Sequence, residues 1–172
     1  MKEIVRLGLY LLTVCALAGA ALSGTYSFTS GKIQAQKEKA ERQALTAVLP
    51  GAVRFESNNG YIRVFDGHQA PLGCILKVSA AGYSGRIEAL VGVDTVFKVT
   101  RVQILSQVET PGLGAKITSP AFLAQFDHQA SDRIRLRKDG GEIDAVTAAT
   151  ISSRAITNAV REKVDAFQKT VR

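Results

Sequence analysis

Apolar residues run without a charge from Leu7 to Phe28, LGLYLLTVCALAGAALSGTYSF, before charged positions return. About 20 such residues suffice to carry an α-helix across a bilayer, so the run predicts an N-terminal transmembrane anchor over residues 1–29. A cleaved signal peptide is the competing reading, because Ala16-Leu17-Ala18 and Ala18-Gly19-Ala20 offer small residues at cleavage spacing. The uncharged run continues past both sites, which favours a retained helix. A lipoprotein anchor at Cys15 is opposed by the branched Val14 before it. Residues 30–51 are rich in helix formers and stop at Pro50-Gly51, predicting a stalk helix.

The pattern then shortens. VRFES, YIRVFDG, CILKVSA, RIEALVGV and VFKVTRVQIL are β-type runs punctuated by Gly, Pro, Asn and Asp, the first two joined by the turn Asn58-Asn59-Gly60. Their close spacing predicts antiparallel neighbours. SPAFLAQF begins a helix, with Ser119 as N-cap and Pro120 at the first helical position. In DRIRLRK, Ile134 and Leu136 alternate with Arg133, Arg135 and Arg137, as a half-buried strand requires. Ile156, Val160, Val164, Phe167 and Val171 recur at helical spacing and predict a terminal helix. The expected fold is α+β: an N-terminal transmembrane helix, then one compact domain over 52–172 with a mainly antiparallel sheet and flanking helices.

Composition narrows the function classes. A chain of 172 residues, 46% hydrophobic, can bury one sizeable core. The net charge of +7 admits nucleic acid, anionic lipid or an acidic protein as partner. Nucleic acid fits poorly, because no aromatic residues interleave with the basic ones and a membrane helix precedes the domain. The Arg133–Arg137 face reads either as a solvated face or as a dock for lipid headgroups or an acidic partner. His68 and His128 stand alone, so no metal site is expected, and Cys15 lies too far from Cys74 in kind of segment to pair with it. Lys2 and Arg6 precede the span while Lys32, Lys37, Lys39 and Arg42 follow it. By charge alone the domain would stay in the cytoplasm, but the rule weakens when a long domain follows the first helix, and the side stays open.

Two stretches carry candidate chemistry. In DGGEIDAVTAATISSRAITNAV (Asp139–Val160), the hydroxyls of Thr147, Thr150, Ser152, Ser153 and Thr157 gather around small alanines at the mouth of the terminal helix. A helix N-terminus has unpaired N–H groups that suit a phosphate, and an ordinary N-cap would use the same residue types. In SQVETPGLGAKI (Ser106–Ile117), Pro111-Gly112 sets a tight turn, and Gly112 and Gly114 bare the backbone around Leu113, either for a flat ligand or as a plain loop. Neither stretch matches a dinucleotide fingerprint or a phosphate loop. Glu109 and Asp144 have no carboxylate partner in sequence, and no Ser-His-Asp or Cys-His arrangement is present.

Taken in order, GYSGRIEALVGVD (Gly82–Asp94), ETPGLG (Glu109–Gly114) and GGEIDAVTAATISS (Gly140–Ser153), behind one membrane helix, resemble a known family. It is the FMN-binding family that contains the G subunit of Rnf electron-transport complexes and the C subunit of sodium-pumping NADH:quinone oxidoreductases, and the chain's length is closer to the former. In that family a flavin transferase joins the phosphate of FMN to a threonine within Asp-x-x-(Ser/Thr)-Gly-Ala-Thr-x-(Ser/Thr). The resemblance makes Thr150 the covalent acceptor, with Asp144 as the leading acid, Thr147 as the first hydroxyl, Ala149 as the alanine and Ser152 as the last hydroxyl. Ala148 departs from the pattern, standing where glycine is usual.

The resemblance further implies that Thr147, Ser152 and Ser153 donate to the phosphate. It sets the flavin ring beside Glu109, Thr110, Gly112 and Gly114, with Tyr83 and Leu113 as apolar contacts. It implies an electron carrier in the bacterial inner membrane, its FMN domain outside the cytoplasm. The partners would be the other subunits, including a neighbouring flavin-bearing membrane subunit, together with a maturing transferase and lipid. The complex would link ferredoxin and NAD to ion translocation. A flavin-free assembly subunit and a stand-alone FMN-domain reductase are the alternatives.

Overall fold

A computed structural model describes residues 2–58 and 60–171; Met1, Asn59 within the expected turn, and Arg172 lie outside it. The chain divides into two compact units, residues 1–40 and residues 41–172. The first is helix from Lys2 onward, with Leu7, Leu9, Leu11, Leu12, Leu17 and Leu22 all exposed. This is the one described helix long and apolar enough to cross a membrane. Helix α1 runs Lys2–Val48 as a single element of 47 residues, through the segments expected as anchor and stalk. Nothing between them breaks it: Gly31 is tolerated, and the first proline lies beyond its end, at Pro50.

The second unit holds a five-stranded sheet in the order β1 (Arg54–Asn58), β2 (Tyr61–Phe65), β3 (Pro71–Ala81), β4 (Arg86–Asp94) and β5 (Val99–Ser106). Every neighbouring pair is antiparallel, the meander expected from runs separated by short turns. Strands β3 and β4 are buried on both faces around residues 75–76 and 90–93, while toward their hairpin Lys77, Ser79, Ala81, Arg86 and Glu88 are exposed. One face packs Leu76, Val78, Ala89 and Val91 against Ile156, Val160, Val164 and Phe167 of helix α3 (Thr150–Val171). The other packs Ile75 and Leu90 against Ala44, Val48 and Leu49 from the end of α1. The second compact unit begins at Glu41.

The end of α1 is fixed by its backbone as well as its side chains. A helix leaves its last carbonyls without partners, and here Thr100 Oγ1 donates to Val48 O at 3.0 Å while Arg101 Nη1 donates to Ala47 O at 3.2 Å. Gly92 makes the close approach possible: a Cβ there would lie 2.6 Å from Val48 Cγ1 and 2.7 Å from Val48 O.

After β5 the chain turns through short helical pieces, among them α2 (Pro120–Leu123), where Pro120 stands at the start as expected but Ser119 caps without a side-chain hydrogen bond. DRIRLRK is not a strand. Ser131–Arg133 and Arg137–Asp139 are 3₁₀ turns, and Leu136 between them makes one isolated parallel bridge with Ile143. The alternation reported burial correctly, with Ile134 and Leu136 buried and the arginines exposed, but the backbone bonds to its own return segment: Arg137 N donates to Ile143 O at 2.8 Å and Ile143 N to Arg135 O at 3.0 Å. That return brings acids alongside. Arg133 pairs with Glu142 at 3.3 Å and Arg137 with Asp144 at 2.8 Å, so the basic face is largely neutralised within the chain.

Gly92→Ala is expected to destabilise the domain by ~1–3 kcal/mol through overpacking against Val48. Thermal unfolding of the detergent-solubilised chain measures this; unchanged stability would mean that the end of α1 does not need that contact.

Candidate functional site

Two cavities meet at the N-terminus of α3. The first, of about 450 Å³, is lined by Tyr83, Glu109, Thr110, Leu113 and Gly114 on one side and by residues 148–152 on the other. The second, of about 500 Å³, is lined by Leu136, Arg137, Lys138, residues 144–148 and Thr150. Ala148 and Thr150 belong to both. Thr150, the first residue of α3, is half-buried at their junction.

The small residues before Thr150 shape this junction. Ala149 N donates to Val146 O at 3.0 Å, closing a turn, and Ser153 N donates to Ala149 O at 2.9 Å as the helix's first bond. The amides of Thr150, Ile151 and Ser152 have no backbone acceptor among the described residues, as a helix start requires. Ala148 sits at φ +62°, the left-handed region, which costs a residue with a Cβ roughly 1–2 kcal/mol. The family pattern's glycine at this position therefore has a backbone reason.

The first cavity is organised around Glu109, which is only 4% exposed. Its Oε2 accepts from Ser152 Oγ at 2.5 Å and its Oε1 from Ser84 N at 3.0 Å. Burial would raise this carboxyl, but the Ser152 hydroxyl and the backbone N–H groups of Ser84, Gly85 and Tyr83 outweigh it and hold the group below the usual carboxylate range. A Cβ at Gly82 would lie 2.3 Å from Oε1 and one at Gly114 2.5 Å from Oε2, so both glycines exist to let the carboxylate in. The rim is apolar and exposed: Tyr83 73%, Leu113 47% and Ile151 55%.

The structure gives the expected site residues the following partners. Ser152 donates its hydroxyl proton to Glu109, and Ser153 Oγ accepts from Val146 N at 3.0 Å, tying the approach loop to the helix. Thr157 is fully buried in the core one turn further on. Thr147 is exposed on the second cavity. Asp144 faces away from the first cavity, gripped by Arg137 through two bonds of 2.8 and 3.1 Å and, at its backbone, by Gln125, whose Oε1 accepts from Asp144 N at 2.7 Å. Gly112 does not line the cavity; at φ +78° with open space around it, it shapes the turn. Thr110 Oγ1 lies 3.3 Å from Ser84 Oγ and holds the turn to the β3–β4 hairpin.

Gly82, Ser84, Gly85 and Ile151 carry no role that the sequence alone assigns. The two glycines flanking Tyr83-Ser84 are the available signal for the hairpin, whereas Ile151 looks like any helical apolar residue.

Residues 82–165 match the FMN-binding domain family, and residues 1–48 match the RnfG N-terminal region. The G subunit of the ion-translocating oxidoreductase complex of Methanosarcina acetivorans is 32% identical over 177 residues, covering 95% of this chain and 94% of that protein. The chain belongs to the RnfG family. The G subunit of the proton-translocating ferredoxin:NAD(+) oxidoreductase complex of Clostridium ljungdahlii is likewise 32% identical, over 162 residues, covering 90% of this chain and 86% of that one. In fold, this RnfG-type chain is similar to NqrC of Shewanella oneidensis, with a TM-score of 0.52 at 18% identity over 70% of this chain and 72% of that one. It is also similar to the C subunit of the Na(+)-translocating NADH-quinone reductase of Parabacteroides distasonis, with a TM-score of 0.51 at 22% identity over 63% and 61%. An FMN-binding domain thus follows the apolar helix that anchors this RnfG-type protein in a membrane.

The residues present suit FMN. An apolar rim with a floor of Gly114, Ala148 and Ala149 can receive a flat ring, and Thr150 offers a hydroxyl beside unpaired helix amides for a phosphate.

Two outcomes follow from this geometry. Because the folded Glu109 carboxyl titrates below its unfolded value of about 4.3, its contribution to stability is fully present above that pH and is lost as pH falls through the folded value. Glu109→Gln should therefore be less stable than wild type at neutral pH and lose less on acidification, in urea titrations between pH 7 and pH 3. Ala148→Gly should raise stability by up to about 1 kcal/mol, the left-handed strain relieved less the entropy that glycine adds to the unfolded chain. A destabilised Ala148→Gly variant would show that the Ala148 methyl makes packing contacts worth more than the strain.

Proposed function

We propose that this chain is the membrane-anchored electron-carrier subunit of an Rnf-type complex, holding FMN through a phosphoester to Thr150. The observation that carries this is the position of Thr150: it lines both cavities where they meet, at the start of a helix of 22 residues. A bound flavin supplies reversible electron transfer; the chain supplies the rest. Tyr83, Leu113 and Ile151 form the apolar rim against which a ring packs and water is excluded. The amides of Thr150, Ile151 and Ser152 direct partial positive charge at the phosphate, and Lys138 and Arg137 line the cavity on its other side. A covalent tether keeps the carrier from dissociating between turnovers.

The partners that fit this role are the other subunits of a complex coupling electron transfer between ferredoxin and NAD to ion translocation. They include a flavin-bearing membrane neighbour, with a flavin transferase acting during maturation and lipid around α1. We place the FMN domain on the extracytoplasmic side of the inner membrane; the family resemblance supports this, against flanking charges that on their own favour the opposite side.

The test is intact mass of the chain produced with a flavin transferase, in one arm exported and in the other retained in the cytoplasm. Exported wild type should gain the mass of FMN less one water on the peptide from Asp139 to Arg154, and Thr150→Ala should not gain it while keeping its fold. An adduct on Thr147, Ser152 or Ser153 would move the acceptor. Absence of any adduct from the exported wild type would favour the flavin-free assembly role, the reading to which the left-handed Ala148 lends weight.

A further inference from the structure

We propose that Glu109 is a positioning residue for the cofactor, and that its fixed negative charge holds down the reduction potential of a ring lodged in the cavity it backs. The inference rests on the ring placement above. Three segments distant in the chain converge on this one carboxylate: the hairpin at Gly82–Gly85, the turn that follows Glu109 itself, and the first turn of α3 through Ser152. The turn is further closed by the Leu113 and Ala115 amides, both donating to Thr110 O at 3.2 Å, and the Glu109 amide donates to Gln107 Oε1 at 2.6 Å. Both walls of the cavity are thereby tied to a common point before any cofactor arrives.

A clamp of this shape does not require a charge. An amide side chain could accept from Ser84 N through its oxygen and donate to the Ser152 hydroxyl through its nitrogen. What a neutral clamp leaves unexplained is that no lysine or arginine pairs with Glu109 among the described residues; its compensation comes only from backbone dipoles and one hydroxyl. A net negative charge therefore stands at the cavity wall, shielded from water. Reduction of a ring lodged there adds negative charge near one already present, and at low local dielectric that repulsion is weakly screened.

The experiment uses the full chain, flavin-loaded and solubilised, with the midpoint potential read by spectroelectrochemical titration. Glu109→Gln should raise the potential, by about a tenfold change in the oxidised-to-reduced ratio at fixed ambient potential, or ~59 mV for a one-electron couple. Glu109→Asp keeps the charge and loses the reach to Ser152; it should hold the potential at or below the wild-type value while lowering the melting temperature of the flavin-free protein. Ser152→Ala leaves the carboxylate less compensated and should shift the potential downward, which keeps the test decisive should Glu109→Gln fail to fold. Leu113→Ala and Ile151→Ala report on ring placement through the visible spectrum. If those spectra change while Glu109→Gln, or in its place Ser152→Ala, keeps the wild-type potential, the charge has no such role and the inference is overturned. If neither spectrum changes although FMN is on Thr150, the ring lies elsewhere and the inference falls with that placement.

Discussion

A buried carboxylate is costly unless its charge is met, and the single charged side chain buried among the described residues, Glu109, shows how the cost is offset here. It takes hydrogen bonds from a hairpin and from a helix 43 residues further along the chain. Each requirement constrains another residue. Gly82 and Gly114 must lack side chains for the oxygens to fit, and Ser152 must keep its hydroxyl turned inward. The site is assembled around this group, so the walls of the cavity and the start of α3 hold a common register.

That register matters because the frame around it is stiff. Away from their hairpin, strands β3 and β4 are buried on both faces, by α3 on one side and by the end of α1 on the other. The hairpin that supplies Tyr83 and Ser84 joins those two strands, and α3 is held to the same sheet by Ile156, Val160 and Val164. The residues around Thr150 therefore inherit their positions from the core. The end of α1 is part of that core, with its last carbonyls met by Thr100 and Arg101, so the element that begins as a membrane helix ends as a packing element of the domain.

Electrostatically, the junction at Thr150 is divided. On the first-cavity side the helix start already faces the Glu109 carboxylate through Ser152; on the second-cavity side stand Arg137 and Lys138, the former drawn to Asp144. With Arg137 paired to Asp144 on that wall, Lys138 is the cation left to meet a phosphate at Thr150 on the second-cavity side. Ala148, left-handed between the two cavities, shows that the chain holds this geometry even with a methyl group at a strained position.

The sequence by itself determined the elements whose signal is local. An uncharged run of membrane length, five β-type runs with turn residues between them, and the helical period of α3 are each set by neighbouring residues, and the antiparallel order followed from short connections. The motif order also reached the right family, because ETPGLG and the hydroxyl-rich stretch lie where the cavity forms. Only tertiary structure decided what those residues do. Whether Ser152 serves a phosphate or Glu109, whether Gly114 faces a ligand or a carboxylate, and whether DRIRLRK finds a strand to pair with all depend on segments brought together from far along the chain. The same holds for the end of α1, whose apolar residues read as a stalk until the opposite face of the sheet is there to cover them. Periodicity records which side of an element is buried, but a hydrogen-bond partner or a packing surface 40 or more residues away leaves no periodic trace.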